Sequence, residues 1–196
     1  MQVHRTVIDG VVQFVPAPHA DDDDFHTATL DAAIAAAHGV DTGRFVQDSQ
    51  SRSVQGVIRG MHGRLGAGES KLVRCAHGAM HDIVIDARPG SPTFGRVASF
   101  LLDDTDMRQL YIPAGCLHGF QALTPTVDTC YRIDTPHDPS EDVSVRFDDP
   151  DLGIRWPLPV GTMSEKDLAA GSWTELCARL DVDPRRRTDA LGLTSW

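Results

Sequence analysis

Two histidines stand in segments that ask for a chemical explanation. His118 lies in YIPAGCLHGFQAL, residues 111–123, three residues after a glycine and between two apolar runs. His62 lies in RGMHGRLGAGES, between Gly60 and Gly63. An imidazole in such a place can ligate a metal, move a proton near neutral pH, or sit in the core with its ring nitrogens bonded. The cysteines offer no competing chemistry. Cys75, Cys116, Cys130 and Cys177 are scattered without a CxxC pair, which suggests neither a zinc knuckle nor a disulfide framework. They read as reduced, mostly buried thiols.

The chain of 196 residues is 41% hydrophobic, enough for one globular domain with a sizeable core. Its formal charge of -10 argues against non-specific nucleic-acid binding, which rests on basic patches. It leaves room for one small anionic ligand in a local basic pocket. The sequence has no uninterrupted apolar stretch of the roughly 18 to 20 residues that a membrane span needs. Its start, MQVHRTVIDG, lacks the pattern of a secretory signal. The expectation is a cytoplasmic protein with no membrane partner.

The elements that must position the histidines are strands. From about residue 44 to 149 short apolar runs alternate with turn residues, among them GVIRGMHGR, SKLVRCAHG, AMHDIVIDARPGSP, GRVASFLLDD and VDTCYRID. Such spacing predicts an antiparallel sandwich or barrel rather than βαβ units. DIVIDA alternates with a period of two, and RPGSPTFG reads as a loop. Within it Asp86 and Arg88 are expected to be turn and surface residues. Residues 3–15 suggest an additional hairpin. TLDAAIAAAHG predicts a helix that stops at a glycine, and SEKDLAAGSWTELCARL a helical region with Ser164 as N-cap. DDPD, Asp148 to Asp151, is expected to cap or turn. ADDDDFH reads as a solvated acidic loop, and the tail from Asp183 as loosely ordered.

PAGCLHG has the form Pro-x-Gly-x-x-His and resembles the second sequence motif of the cupin superfamily. The resulting expectation is a mostly β, cupin-type double-stranded β-helix, or jelly roll, with an N-terminal hairpin and short flanking helices. It would form a single domain over 1–196: hairpin and helix in 1–43, jelly-roll core in 44–160, helical region and tail in 161–196. Metal-binding cupins carry, in an earlier motif, two histidines one residue apart and then a glutamate. Here the residue two places after His62 is Arg64, whose guanidinium repels a cation and does not ligate one. Neither a metal nor another cofactor is therefore expected. A metal-dependent cupin enzyme stays open as an alternative, and elemental analysis would decide it.

QGVIRGMHG, SKLVRCAHG, DIVIDARPGSPTFGR, RQLYIPAGCLHGFQAL, TCYRID, VRFDDPDLGIRWPL and SEKDLA occur in this order. Together they resemble the dTDP-4-dehydrorhamnose 3,5-epimerase family over roughly residues 44–170. The resemblance implies a metal-free jelly-roll homodimer acting on a nucleotide-diphosphate-linked 4-keto-6-deoxyhexose, with the N-terminal segment contributing to the neighbouring subunit's site. Such chemistry needs a base to remove a proton beside the ketone, an acid on the other face, and donors aimed at the ketone oxygen. The resemblance makes His62 the base, Asp167 the carboxylate that orients it, and Tyr131 the acid. It puts Lys71 and His118 against the sugar, with Lys71 stabilising the enolate, and Arg59 against the diphosphate. Gln47 and Asp82 join the substrate-binding group, Asp82 at the pocket edge. Read without the family, His62 remains open as a loop histidine, Tyr131 as a packed strand residue and His118 as a core histidine.

The chain departs from the family pattern where substrate is held. Asp23 and Asp24 stand in place of an arginine and a glycine, and Ala28 in place of a glutamate. A carboxylate there would repel a diphosphate. Gly63 and Arg64 replace a tyrosine and a glutamine, so Arg64 enters the substrate-binding group as a substitute for the lost arginine. His137 replaces an aromatic of the sugar pocket. The departures spare the proton-transfer residues, which points to altered specificity: one carbon rather than two, a modified deoxysugar, or another nucleotide carrier. A sugar-binding relative without turnover is the competing expectation.

Overall fold

The computed structural model describes residues 1–20 and 25–186. Asp23 and Asp24, with the rest of the acidic run before Phe25, lie outside the described residues, as does the tail from residue 187. The strands are β1 (Gln2–Arg5), β2 (Val12–Val15), β3 (His19–Ala20), β4 (Phe25–His26), β5 (Gln47–Val54), β6 (Ile58–Arg64), β7 (Lys71–His77), β8 (Ala79–Asp86), β9 (Val97–Asp103), β10 (Gln109–Ile112), β11 (Cys116–Ala122), β12 (Thr126–Ile133) and β13 (Asp142–Ser144). The helices are α1 (Ala32–Ala37), α2 (Glu165–Leu168) and α3 (Trp173–Arg179). Two antiparallel sheets face each other, one in the order β1-β2-β10-β7-β12-β5 and the other β13-β6-β11-β8-β9. This is the antiparallel sandwich that the strand spacing predicts, in the mostly β jelly-roll form that the resemblance to the cupin motif implies. The N-terminal hairpin is more than an addition, because β2 pairs with β10 and extends the first sheet.

Each sheet is partly covered on its outer side, so central strands such as β8 and β11 bury both faces while the edge strands β1 and β5 stay largely exposed. Between the sheets, Val73, Leu110 and Val127 meet Met80, Val84, Leu102 and Phe120. Outside the five-stranded sheet, Met61, Ile83, Ile85 and Leu117 pack on Trp173, Leu176 and Cys177 of α3. Outside the six-stranded sheet, Val12, Phe14 and Leu72 pack on Ala35 of α1. The helices begin where side chains supply the missing acceptors. Asp31 accepts from the Ile34 amide at α1, Ser164 from the Asp167 amide at α2, and Ser172 forms a capping box with Glu175 at α3. The expected C-terminal helical region is thus two short helices. Asp149, in the DDPD turn, accepts from the Trp173 amide at 2.8 Å, the capping role expected of that segment.

The loop after β8 corrects one expectation. Asp86 is fully buried rather than a surface turn residue. The period-two alternation of DIVIDA is real, yet its polar members, Asp82 and Asp86, point inward because helix α3 covers the other face. Asp86 accepts from Arg88 Nε at 2.8 Å and Nη2 at 2.7 Å, Ser91 Oγ at 2.5 Å and Thr93 Oγ1 at 2.6 Å. Arg88 also donates to the Asp9 carbonyl at 2.6 Å, tying the β1–β2 turn to this loop. Burial alone would push the Asp86 carboxyl up, but the donors from Arg88, Ser91 and Thr93 outweigh it and hold the group below its ordinary value. Stability from this group is therefore present above the unfolded carboxyl pKa and is lost as pH falls through the lower folded value. Asp86→Asn is expected to cost about 3–5 kcal/mol in denaturant unfolding at pH 7, because it leaves Arg88 without its partner. The gap between the two proteins should narrow as pH drops through the folded Asp86 pKa, and a pH-independent gap would contradict this assignment.

Candidate active site

At one end of the sandwich the two sheets part around a cavity of about 620 Å³. Strand periodicity decides what faces it. On β7, Lys71 shares a face with Val73 and Cys75 of the inter-sheet core, and continues that face into the cavity. On β12, Val127 lies in the same core while Thr129, Tyr131 and Ile133 line the cavity. On β6 the rule breaks, since Arg59 and His62 both line it although they stand an odd number of positions, three, apart. The cause is a bulge: His118 pairs with His62 but Phe120 pairs with Arg59, leaving one extra residue in β6. Gly60, at φ +125°, sits in the bulge against Gly119. A Cβ on Gly60 would lie 2.6 Å from the Gly119 Cα, and one on Gly119 would lie 2.8 Å from the Arg59 carbonyl oxygen. The glycines of RGMH and LHGF therefore allow the two strands to meet here and turn Arg59 and His62 to the same side.

Of the residues singled out from the sequence, His62, Asp167, Tyr131, Lys71, Arg59, His118, Arg64 and His137 line this one cavity. Gln47 and Asp82 do not. Gln47 is exposed at the start of the edge strand β5, where its amide donates to Ser49 Oγ. Asp82 is fully buried behind the wall rather than at the pocket edge, with Oδ2 2.7 Å from His118 Nε2. Arg64 is placed differently from what its proposed role requires. Its side chain is 4% exposed and ion-paired to Glu69 at 3.0 Å, so it does not offer a free guanidinium in place of the missing arginine.

His62 Nε2 lies 2.5 Å from Asp167 Oδ1. A carboxylate only accepts, so Nε2 carries the proton and Nδ1 keeps the lone pair. Asp167 is buried and presented by the first turn of α2, its amide held by the Ser164 hydroxyl at 3.1 Å. Burial pulls the His62 pKa down; the hydrogen bond and charge of Asp167 push it up without fully offsetting burial, and Lys71 and Lys166 add to the lowering. The net result is below 6.5, and the ring is neutral, hence basic, at pH 7. Tyr131 comes from the opposite sheet, and its hydroxyl has no hydrogen-bond partner among the described residues. Arg59, which is exposed, donates to Ser53 Oγ at 3.0 Å and makes no ion pair among the described residues. The lining holds four cations (Arg59, Arg64, Lys71, Lys166) against three carboxylates (Glu69, Asp142, Asp167), a local excess of positive charge in an acidic chain. His62 and His118 each give Nε2 to a carboxylate, and no three His, Cys, Asp or Glu side chains converge as a metal site among the described residues.

A family model described as dTDP-4-dehydrorhamnose 3,5-epimerase matches residues 5–175. The chain belongs to this family. A dTDP-4-dehydrorhamnose 3,5-epimerase of Methanothermobacter thermautotrophicus is 36% identical over 166 residues, 83% of this chain and 89% of that relative. The Legionella pneumophila enzyme, solved in complex with dTDP-4-keto-L-rhamnose, superposes with a TM-score of 0.84 at 34% identity, covering 96% of this chain and 99% of that one. A 3'-monoepimerase from Streptomyces bikiniensis, in complex with dTDP-quinovose, superposes with a TM-score of 0.82 at 30% identity, covering 91% of each chain.

Within the epimerase fold, the sequence reading missed Glu69, Asp142, Lys166 and the hydroxyls of Ser51 and Thr129, all on the cavity wall. Glu69 had a signal, since it precedes Lys71 by two and so shares its face in an extended chain. Asp142 and Lys166 had none, because their position depends on how β13 and α2 close over β6. The proton-holding role of the His62–Asp167 bond is open to direct measurement. Asp167→Asn removes the group that favours the imidazolium, so the His62 midpoint in a ring NMR titration should move further below 6.5. An unchanged or raised midpoint would contradict the pairing.

Proposed function

We propose that this chain epimerises a nucleotide-diphosphate-linked 4-keto-6-deoxyhexose at a carbon flanking the ketone, C3 or C5 or both, by proton removal and return through an enolate. The observation that carries the reading is a neutral imidazole, backed by a buried carboxylate, that shares a cavity with a phenol from the facing sheet whose hydroxyl has no partner among the described residues. His62 Nδ1 takes the proton from the carbon beside the carbonyl, and the C–H electron pair moves to the carbonyl oxygen as an enolate. Asp167 stabilises the imidazolium so formed. Lys71 faces the developing oxyanion. Tyr131 donates its phenolic proton to the other face, the carbonyl re-forms, and the centre is inverted. The imidazolium then loses its proton to solvent and the phenolate regains one.

His118 has a condition attached to its part. With Nε2–H given to Asp82, its free Nδ1 accepts from a sugar hydroxyl when the ring is neutral, and donates to the carbonyl oxygen only as imidazolium. Arg59, which has no carboxylate partner among the described residues, suits the diphosphate through its forked donors. His137, exposed at the rim, makes that side of the sugar site polar where an aromatic would make it apolar. The free thiols of all four cysteines suit a reducing compartment such as the cytoplasm.

The reading also includes a homodimer in which the N-terminal segment reaches the neighbouring site. Its support is the β3–β4 hairpin, which joins neither main sheet and leaves Phe25 57% exposed, together with the eight-residue edge strand β5. Light scattering should give twice the chain mass, and a monomer would contradict the shared site.

Solvent deuterium exchange into nucleotide-linked 4-keto-6-deoxyhexoses, followed by NMR, tests the chemistry at C3 and C5 separately. His62→Ala should abolish exchange at every position, and Tyr131→Phe should keep part of the exchange while losing net inversion. Equal exchange and inversion in Tyr131→Phe would remove Tyr131 from the acid role. For the wild type, kcat/KM should rise with pH through the His62 pKa, which lies below 6.5, as the base loses its proton.

A further inference from the structure

The Lys71 ammonium is not free to wander on its four-carbon stem. Its Nζ lies 2.8 Å from Glu69 Oε1, and the other oxygen of the same carboxylate lies 3.0 Å from Arg64 Nη2. Both charged partners are withdrawn from water, with 8% of the Glu69 side chain and 4% of the Arg64 side chain exposed. Arg64 is fixed in turn, donating from Nη1 to the Pro136 carbonyl at 2.9 Å and placing Nε 3.5 Å from Asp142 Oδ1. The result is a continuous run of charges, Lys71–Glu69–Arg64–Asp142, along one wall of the cavity, most deeply buried at Glu69 and Arg64.

We propose that Glu69 is a positioning residue of this site: bridging Arg64 and Lys71, it holds the Lys71 ammonium toward the reacting carbonyl and balances the two cations that would otherwise share the wall. The proposal rests on the epimerase reading for the identity of the carbonyl. Arg64 then acts through Glu69, as the group that takes its second oxygen, and not by touching the ligand. The physical need is plain. A cation stabilises a developing oxyanion most when it is already in place, and a lysine held by nothing must be ordered during the reaction. A guanidinium and an ammonium on one desolvated wall repel each other unless an anion lies between them.

Glu69 also bears on the base. The charged and titratable groups that share the cavity with His62 are Asp167 and Lys166 from α2, Glu69 and Lys71 at the start of β7, His118 from β11, Tyr131 from β12, His137 and Asp142 around β13, and Arg59 and Arg64 on its own strand. Lys71 already disfavours the imidazolium. Glu69→Gln keeps the shape of the side chain and removes one negative charge. Without that charge the wall beside His62 is more positive, so His62 should hold its proton less tightly.

The test uses Glu69→Gln, Arg64→Gln and the double variant, with steady-state kinetics on a nucleotide-linked 4-keto-6-deoxyhexose and a ring NMR titration of His62 without substrate. Glu69→Gln should lower kcat by about tenfold or more with a smaller change in KM, and should move the His62 midpoint to lower pH. The double variant should restore most of kcat and the wild-type midpoint, because two amides can pair in the same places and one charge of each sign has been removed. A merely structural role would lower the melting temperature of Glu69→Gln without moving the midpoint, and the double variant would restore neither quantity. Wild-type kcat and an unmoved midpoint in Glu69→Gln would overturn the proposal. If the wild type turned over none of these sugars, the epimerase reading would fall, while the titration would still decide whether Glu69 sets the charge felt by His62.

Discussion

The hydrogen bond between His62 and Asp167 is the constraint that the rest of the site serves. A carboxylate with 4% of its side chain exposed is tolerable only where a donor meets it, and here that donor is the imidazole. The bond fixes which ring nitrogen carries the proton and leaves the other to face the ligand. Two distant segments must meet to make it, β6 of the five-stranded sheet and a single helical turn 105 residues later. The bulge at Gly60 turns His62 inward, the Ser164 cap starts the turn that carries Asp167, and the outer core around Trp173 anchors the chain just beyond it. Partial desolvation of the imidazole outweighs the pull of Asp167, which keeps the ring neutral at pH 7 and ready to accept a proton.

A second imidazole on the adjacent strand repeats the arrangement with a different outcome. His118 is the cross-strand partner of His62 and gives Nε2 to Asp82, which is wholly buried. His62 keeps 38% of its side chain accessible from the cavity and His118 keeps 11%. The same pair of residue types thus supplies one group open enough to approach a substrate carbon and another recessed into the wall, suited to fixing a sugar oxygen. The cations are likewise sorted. Arg59, exposed and without an ion pair among the described residues, suits a ligand, whereas the charge of Arg64 is used inside the protein.

Much of this was legible in the residue order. Strand spacing and the period of two give an antiparallel sandwich, the resemblance to the cupin motif makes it a jelly roll, and eight of the ten expected site residues line one cavity. The failures have a common origin in layers that local patterns do not report. Asp86 reads as a turn residue because RPGSP is a loop, yet the helix on the far side of β8 leaves the aspartate facing inward, where Arg88, Ser91 and Thr93 satisfy it. Asp82 is buried for the same reason. Arg64 looks available for an anion because its sequence neighbours are glycines and a leucine, and only the fold brings Glu69 and Asp142 against it. Gln47 lies on an edge strand, and from its own strand it does not reach the cavity.

The proposed chemistry requires a carbon beside a carbonyl to sit between the His62 imidazole and the Tyr131 phenol. A crystal structure with a nucleotide-linked 4-keto-6-deoxyhexose bound measures this most directly. The sugar ring is expected inside the cavity, with a carbon flanking the ketone within about 3–3.5 Å of His62 Nδ1 and the Tyr131 hydroxyl approaching from the opposite face of the ring. A sugar bound outside the cavity, or held with both side chains on one face of its ring, would contradict it.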